Sequence, residues 1–238
     1  MIKNSFIFNE KIIEKKLIPC DSNSRISLED DSFTKSAILF TIIPYEKKPY
    51  DLVLIHRTNR GSKHRGEISF PGGKFEPSKD ASLMDTALRE TNEEIGVDKK
   101  NVKIIGCLDD FPTLTRYIIT PFVGLISKNQ KLKKDKKEVQ KILKISIEFF
   151  LDKKNFKEQA IEIDGEPFPI FYYNYIESNT KKLYTIWGAT AYLISSFIER
   201  VHGITHSKLG LKRFQLDKIK FLKEYIKYKN QITKNFEK

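Results

Sequence analysis

The chain has 238 residues, of which 39% are hydrophobic and 12% aromatic, and its formal net charge is +12. Such a length and composition fill one good core with segments to spare at each end, and they exclude a largely disordered chain. The charge points to a polyanionic partner (nucleic acid, an anionic membrane surface or a phosphorylated small molecule) or to a lysine-rich solvated surface.

Residues 1–34 read as an N-terminal extension. Residues 9–18 form a short helix ended by Pro19, and the polar stretch 20–32 is a loop. Residues 1–16 thread charges through their apolar positions, unlike a secretory signal, and no run of about 18 apolar residues marks a membrane span. Cys20 and Cys107 are the only cysteines. Two in a chain this long argue against a disulfide scaffold and for a reducing compartment, so a cytoplasmic location is expected.

The apolar run 36–44 suits a buried strand, and 51–57 is its hairpin partner. A basic loop, 58–67, leads through a short β-prone stretch to Pro71-Gly72-Gly73. Beyond the long helix described below, 102–111 reads as a strand. So does 117–126, where Pro121 marks an edge strand or a bulge. Residues 139–152 mix helix and strand signals. Residues 168–177 and 181–187 are strands around a turn. From about Ile186 the apolar spacing becomes helical up to Val201, with Gly203 as the stop. A last, basic amphipathic helix runs from about Lys212 to the end.

The helix after Gly73 carries the chemistry. With Asp80 as N-cap and about 100° per residue, Leu83, Met84, Ala87, Leu88 and Ile95 define a buried arc. Glu90, Glu93 and Glu94 cluster at its edge, while Asp85, Arg89 and Asn92 lie on the far side. Acids that serve only solubility belong opposite the core. Placed against it, they repel each other unless a hard divalent cation offsets the repulsion, and carboxylate oxygens are what Mg²⁺ takes. Gly72 and Gly73, without side chains, let the backbone approach an ion or phosphate closely.

These residues resemble the signature of the Nudix hydrolases, R-E-x-x-E-E-x-G, supplied here by Arg89, Glu90, Glu93, Glu94 and Gly96. The stretches 54–73, 108–124, Glu138-Val139 and 186–191 are similar to further motifs of the coenzyme A pyrophosphatase branch, in the branch's order. The resemblance implies an α/β fold, an α/β/α sandwich with a mixed sheet, over 35–205, followed by a basic C-terminal helix over 206–238. It implies Mg²⁺ or Mn²⁺ held by Glu90, Glu93, Glu94 and Gly73. It also implies water attack on a diphosphate, with Glu90, Glu93, Glu94 and Glu138 as the catalytic set. Arg57, Arg60, Lys63, His64, Arg65 and Gly72 are the candidate phosphate contacts.

The expected partner is a nucleotide-diphosphate small molecule, coenzyme A or an acyl derivative first and ADP-ribose or NADH as alternatives. A homodimer is allowed. A decapping or nucleic-acid-binding Nudix protein is the less favoured reading, because no interleaved aromatic and basic platform is visible. Three departures stand out, one of them a segment between Gly73 and Arg89 that is longer than in the common signature. The family's usual first glutamate falls on Ala81, leaving Asp80 to take its structural role, and Ser62 stands where the branch has an arginine.

Overall fold

Strand β1 (Thr34–Ile43) is the axis of the molecule. In the computed structural model, which describes residues 6–59, 66–163, 166–213 and 215–221, its alternating side chains point to two cores. Phe40 and Ile42 enter one cluster, while Ala37, Leu39 and Ile43 enter clusters on the other face. The strand β2 (Asp51–Arg57) repeats the pattern, with Leu52 and Leu54 on the first side and Val53 and Ile55 on the second. Strands buried on both faces carry near-continuous apolar runs, which is why the sequence reads that way.

Eight strands make the main mixed sheet: β1, β2, β3 (Ile68–Ser69), β4 (Gly72–Lys74), β5 (Val102–Cys107), β6 (Phe111–Pro112), β7 (Tyr117–Ile126) and β8 (Val139–Ser146). Along one edge β1 runs parallel to β7 from Thr34↔Tyr117 to Ile42↔Leu125. Along the other edge it divides. Residues 41–43 pair with β2, and 36–38 pair with β4. The division brings the two glycines of β4 beneath the helix α2 (Leu83–Ile95). On the opposite face lie α4 (Gly188–His202) and a three-stranded sheet of β9 (Phe156–Ile163), β10 (Glu166–Ile176) and β11 (Leu183–Trp187). Helices α1 (Glu10–Lys16), α3 (Ile147–Leu151) and α5 (Leu216–Phe221) are short. This is the expected mixed α/β architecture with helices on both faces of the sheet.

Five readings of the sequence change. Pro121 lies in an interior strand, because β7 is flanked by β1 as well as by β5 and β6. The proline sits where β5 has ended and β6 has not begun, so its missing N–H leaves no ladder bond broken, and its carbonyl accepts from the Leu108 N–H at 3.0 Å. The unsettled stretch 139–152 is β8 followed by α3. Strand β9 was not expected, since its polar edge position weakens the pattern. The C-terminal helix starts at Leu216 rather than Lys212, and its predicted continuation past 221 lies outside the described residues.

The cysteines are the fifth. Cys20 and Cys107 are joined by a disulfide across a separation of 87 residues. The N-terminal segment lies along β5, with Ile18 and Cys107 exchanging backbone hydrogen bonds at 2.8 and 3.2 Å, and this contact brings the two sulfurs together. No helix among the described residues is long and apolar enough to cross a membrane.

Phe197 of α4 stacks on Phe40 of β1 with ring centroids 4.5 Å apart, and it has no solvent exposure. Phe197→Ala is expected to cost about 3–5 kcal/mol of folding free energy, the usual range for emptying such a site, read as a lower urea midpoint at unchanged slope.

Candidate active site

Helix α2 begins at Ser82, whose side chain accepts from the Asp85 N–H at 3.1 Å, and it ends at Gly96 with φ +71°. The N-cap is therefore Ser82 and not Asp80. Asp80 points inward instead. Its carboxylate takes Arg89 Nε at 2.7 Å and Nη2 at 3.0 Å, the Thr86 hydroxyl at 2.9 Å and the Glu76 N–H at 2.9 Å. The Arg89 guanidinium, first among these donors, holds the Asp80 carboxyl well below the usual carboxylate range. Arg89 is thus not on a far solvated side. It also donates to Glu90 at 2.9 Å and to Glu93 at 3.3 Å. Asp80 orients Arg89, and Arg89 orients two of the glutamates, which is the structural role left open by Ala81.

The three glutamates occupy a graded position. Glu94 is buried with 1% of its side chain exposed, Glu90 has 13%, and Glu93 has 54%. Thr86, Thr91 and Glu94 share the buried face with Ala87 and Ile95, so the core arc is more polar than the sequence suggested. Glu94 accepts from the Gly72 N–H at 2.9 Å and from Arg57 at 2.6 Å. Burial pushes its carboxyl up to about 7, against the pull of Arg57 and the Gly72 N–H, and Glu90 adds a like charge. Burial also raises Glu90, countered by Arg89 and reinforced by the nearby charges of Glu93 and Glu138.

The glycines are required by this geometry. A methyl group built on Gly73 would overlap the Glu90 carboxylate, and one on Gly72 would strike the backbone of Ala37 and Ile38. Gly72 also has φ +156°, which disfavours a side chain. Glu138 enters from the turn before β8. Thr58 holds that turn through its N–H to the Glu138 carbonyl at 2.8 Å and its hydroxyl to the Lys137 carbonyl at 2.9 Å. The Glu138 carboxylate is 3.5 Å from Arg57, so Arg57 links Glu94 to Glu138.

Do these residues suit a divalent cation? Among the described residues no three His, Cys, Asp or Glu groups already form a cage for one. Arg57 and Arg89 hold the carboxylates in ion pairs instead. The donor set nevertheless fits. It is all oxygen, it places carboxylates close enough to repel one another, and Gly73 keeps a carboxylate directly against backbone.

Of the expected site residues, Arg57, Gly72, Gly73, Glu90, Glu93, Glu94 and Glu138 come together. Arg60, Lys63, His64 and Arg65 lie outside the described residues. A pocket of about 950 Å³ opens beside the glycines, Arg57 and Glu138. Its other walls are mixed, with Phe111, Leu114, Ile170, Phe171, Trp187 and Tyr192 beside polar residues such as Ser69, Thr113 and Thr190. Trp187 is half-buried and lines the pocket, and no motif in the sequence marks these apolar residues individually as parts of a cavity. An apolar residue that lines a cavity and one that fills a core look alike in sequence.

A NUDIX domain profile matches residues 35–159. The Nudix hydrolase NudL of Photorhabdus laumondii, described as uncharacterized, is 30% identical over 171 residues, which cover 72% of this chain and 87% of that protein. Mitochondrial Nudix hydrolase 15 of Arabidopsis thaliana is 30% identical over 175 residues, 72% of this chain but only 60% of that protein. Among solved structures, a MutT/nudix family protein from Enterococcus faecalis has a TM-score of 0.43 at 18% identity, covering 75% of this chain and 66% of its own. The helix of clustered carboxylates set against a glycine turn is that of a pyrophosphohydrolase acting on nucleoside diphosphate derivatives. In particular, the chain belongs to the Nudix family.

Two variants probe this geometry. Asp80→Ala leaves Arg89 without its buried partner and is expected to cost about 3 kcal/mol, the scale of a broken buried pair. Because the folded Asp80 carboxyl is depressed, its unfolded form binds the proton more readily. The stabilisation is therefore complete above the ordinary carboxylate pKa and is lost as pH falls towards the folded value. The gap between wild type and Asp80→Ala in thermal melts should accordingly narrow in acid. Gly73→Ala should displace Glu90 and cut turnover roughly 100-fold, as a misplacement of about 1 Å does, with the circular dichroism spectrum unchanged.

Proposed function

We propose that the chain hydrolyses the diphosphate of coenzyme A or acyl-coenzyme A, giving 3′,5′-ADP and (acyl-)4′-phosphopantetheine. The observation that carries the reading is a large pocket that meets the carboxylate cluster at Arg57, Gly72, Gly73 and Glu138 and has Phe111, Ile170, Phe171, Trp187 and Tyr192 among its other walls. Such a pocket accommodates a long organic arm beyond a diphosphate. Support also comes from the four branch-like motifs. Residues from three of them, Gly72 and Gly73, Phe111 to Thr115, and Trp187 to Thr190, line this one pocket, as does the fourth motif's Glu138.

Glu90, Glu93, Glu94 and the Gly73 carbonyl would hold Mg²⁺ or Mn²⁺, which neutralises developing phosphate charge and acidifies a bound water. Arg89 fixes Glu90 and Glu93 through its bonds to them. Arg57 keeps Glu94 and Glu138 in one constellation. Glu138, with 56% of its side chain exposed, receives the proton of the attacking water, while the better buried Glu90 is held by Arg89 as a ligand. Phe111, Ile170, Phe171 and Trp187 offer the organic part of the substrate apolar contact.

The test is a panel of coenzyme A, acyl-coenzyme A, ADP-ribose and NADH with Mg²⁺ and Mn²⁺, with products identified by mass. Coenzyme A species should be preferred. Glu93→Gln and Glu94→Gln should each lower turnover roughly 100-fold or more, the scale of losing one charge-stabilising group. Wild-type-like turnover in both would sink the mechanism.

A further inference from the structure

The family profile ends at residue 159, yet the pocket is completed by later residues. One of them is Lys212, in a segment that is neither helix nor strand. Connections of this kind are usually mobile, but this one is pinned at four points. Glu158 of β9 accepts from the Ser207 hydroxyl at 2.6 Å and the Lys208 N–H at 2.9 Å. The Tyr192 hydroxyl of α4 donates to the Leu211 carbonyl at 3.4 Å. Arg213 donates to Asp109 at 2.7 Å, on the connection that leads into β6. Lys212 itself donates to the Pro167 carbonyl of β10 at 3.1 Å and lies 6.0 Å above the Phe168 ring.

Lys74 and Lys137 also line the pocket, on β4 and on the turn that carries Glu138, whereas the two arginines near Lys212 are paired. Asp109 receives Arg213 and, at 3.4 Å, Arg200. Among the described residues no carboxylate pairs with Lys212. Its ammonium group carries three donors, and one is directed at Pro167. It is exposed and it lines the pocket, as do the apolar Ile170 and Phe171 of β10, the strand that carries Pro167. An ordinary surface lysine keeps its rotamer freedom. Here the segment around it is held by three separate elements, and the cation lines the same cavity as Gly73 and Glu138.

We propose that Lys212 is a specificity residue that binds a phosphate monoester on the organic part of the substrate, separate from the diphosphate that is cleaved. The assignment rests on the diphosphatase reading above. It makes the enzyme selective for sugar-phosphorylated nucleotides through a residue contributed from beyond the family-matched segment. The role is one of binding, so it belongs to KM rather than to kcat.

Two measurements on the full chain test it. In the first, hydrolysis of coenzyme A is compared with that of its 3′-dephospho form in wild type, Lys212→Met and Lys212→Arg. Wild type should favour the phosphorylated substrate through KM. Lys212→Met should reduce that preference roughly 10-fold or more, the scale of a hydrogen bond to a charged group, and Lys212→Arg should retain most of it. In the second, calorimetry compares adenosine 3′,5′-bisphosphate with AMP for the same proteins, and the same loss of discrimination is expected in Lys212→Met. Equal binding of the two nucleotides by wild type, or a preference that survives in Lys212→Met, overturns the proposal. If neither diphosphate is hydrolysed but the binding preference still depends on Lys212, the diphosphatase reading falls and the phosphate site stands.

Discussion

The close approach of α2 to the backbone at Gly72 and Gly73 is the constraint on which the rest of the site depends. Glu94 is almost fully buried because the Gly72 N–H and Arg57 satisfy its oxygens there. A buried carboxylate without such partners would cost several kcal/mol. The approach in turn requires β1 to divide between β2 and β4, since an undivided β1–β2 hairpin would leave no edge for the glycine strand. Sheet topology thus sets where a side chain of the adjacent layer finds its hydrogen bonds.

Around that contact the charges form a chain of orientation. Asp80 holds Arg89, Arg89 holds Glu90 and Glu93, and Arg57 holds Glu94 and Glu138. Each arginine bridges acids that would otherwise repel. The burial gradient from Glu94 to Glu93 gives three chemically identical residues different environments. One is a desolvated anchor, one is half-sheltered and one faces water. The Cys20–Cys107 link and the contacts of Asp109 and Asp110 with residues 25–28 bind the N-terminal segment to the wall from which Phe111 and Pro112 reach the pocket.

The strands β1 and β2 and the helices α2 and α4 were legible because each is long, strongly patterned and ended by a clear signal such as Gly96 or Gly203. The carboxylate helix was legible as a site because its glutamates fall where solubility alone would not put them. Its details were not. A helical wheel assigns angles, but it does not show that Arg89 reaches back to Asp80, or that Thr86 and Thr91 belong to the buried face. Pro121 misled because an interior proline is acceptable wherever its strand lacks a neighbour needing an N–H, and only pairing reveals such a gap.

By itself the sequence determined the buried strands, the glycine turn and the clustering of Glu90, Glu93 and Glu94 on one helix, because periodicity and residue chemistry are local properties. The tertiary structure decided which acid is buried, which capping residue holds the helix, and that two cysteines 87 residues apart meet. It also decided that residues of β10, α4 and the segment around Lys212 wall the same pocket as the glycines. Those outcomes depend on how strands pair and where segments distant in sequence cross, and no local pattern encodes either.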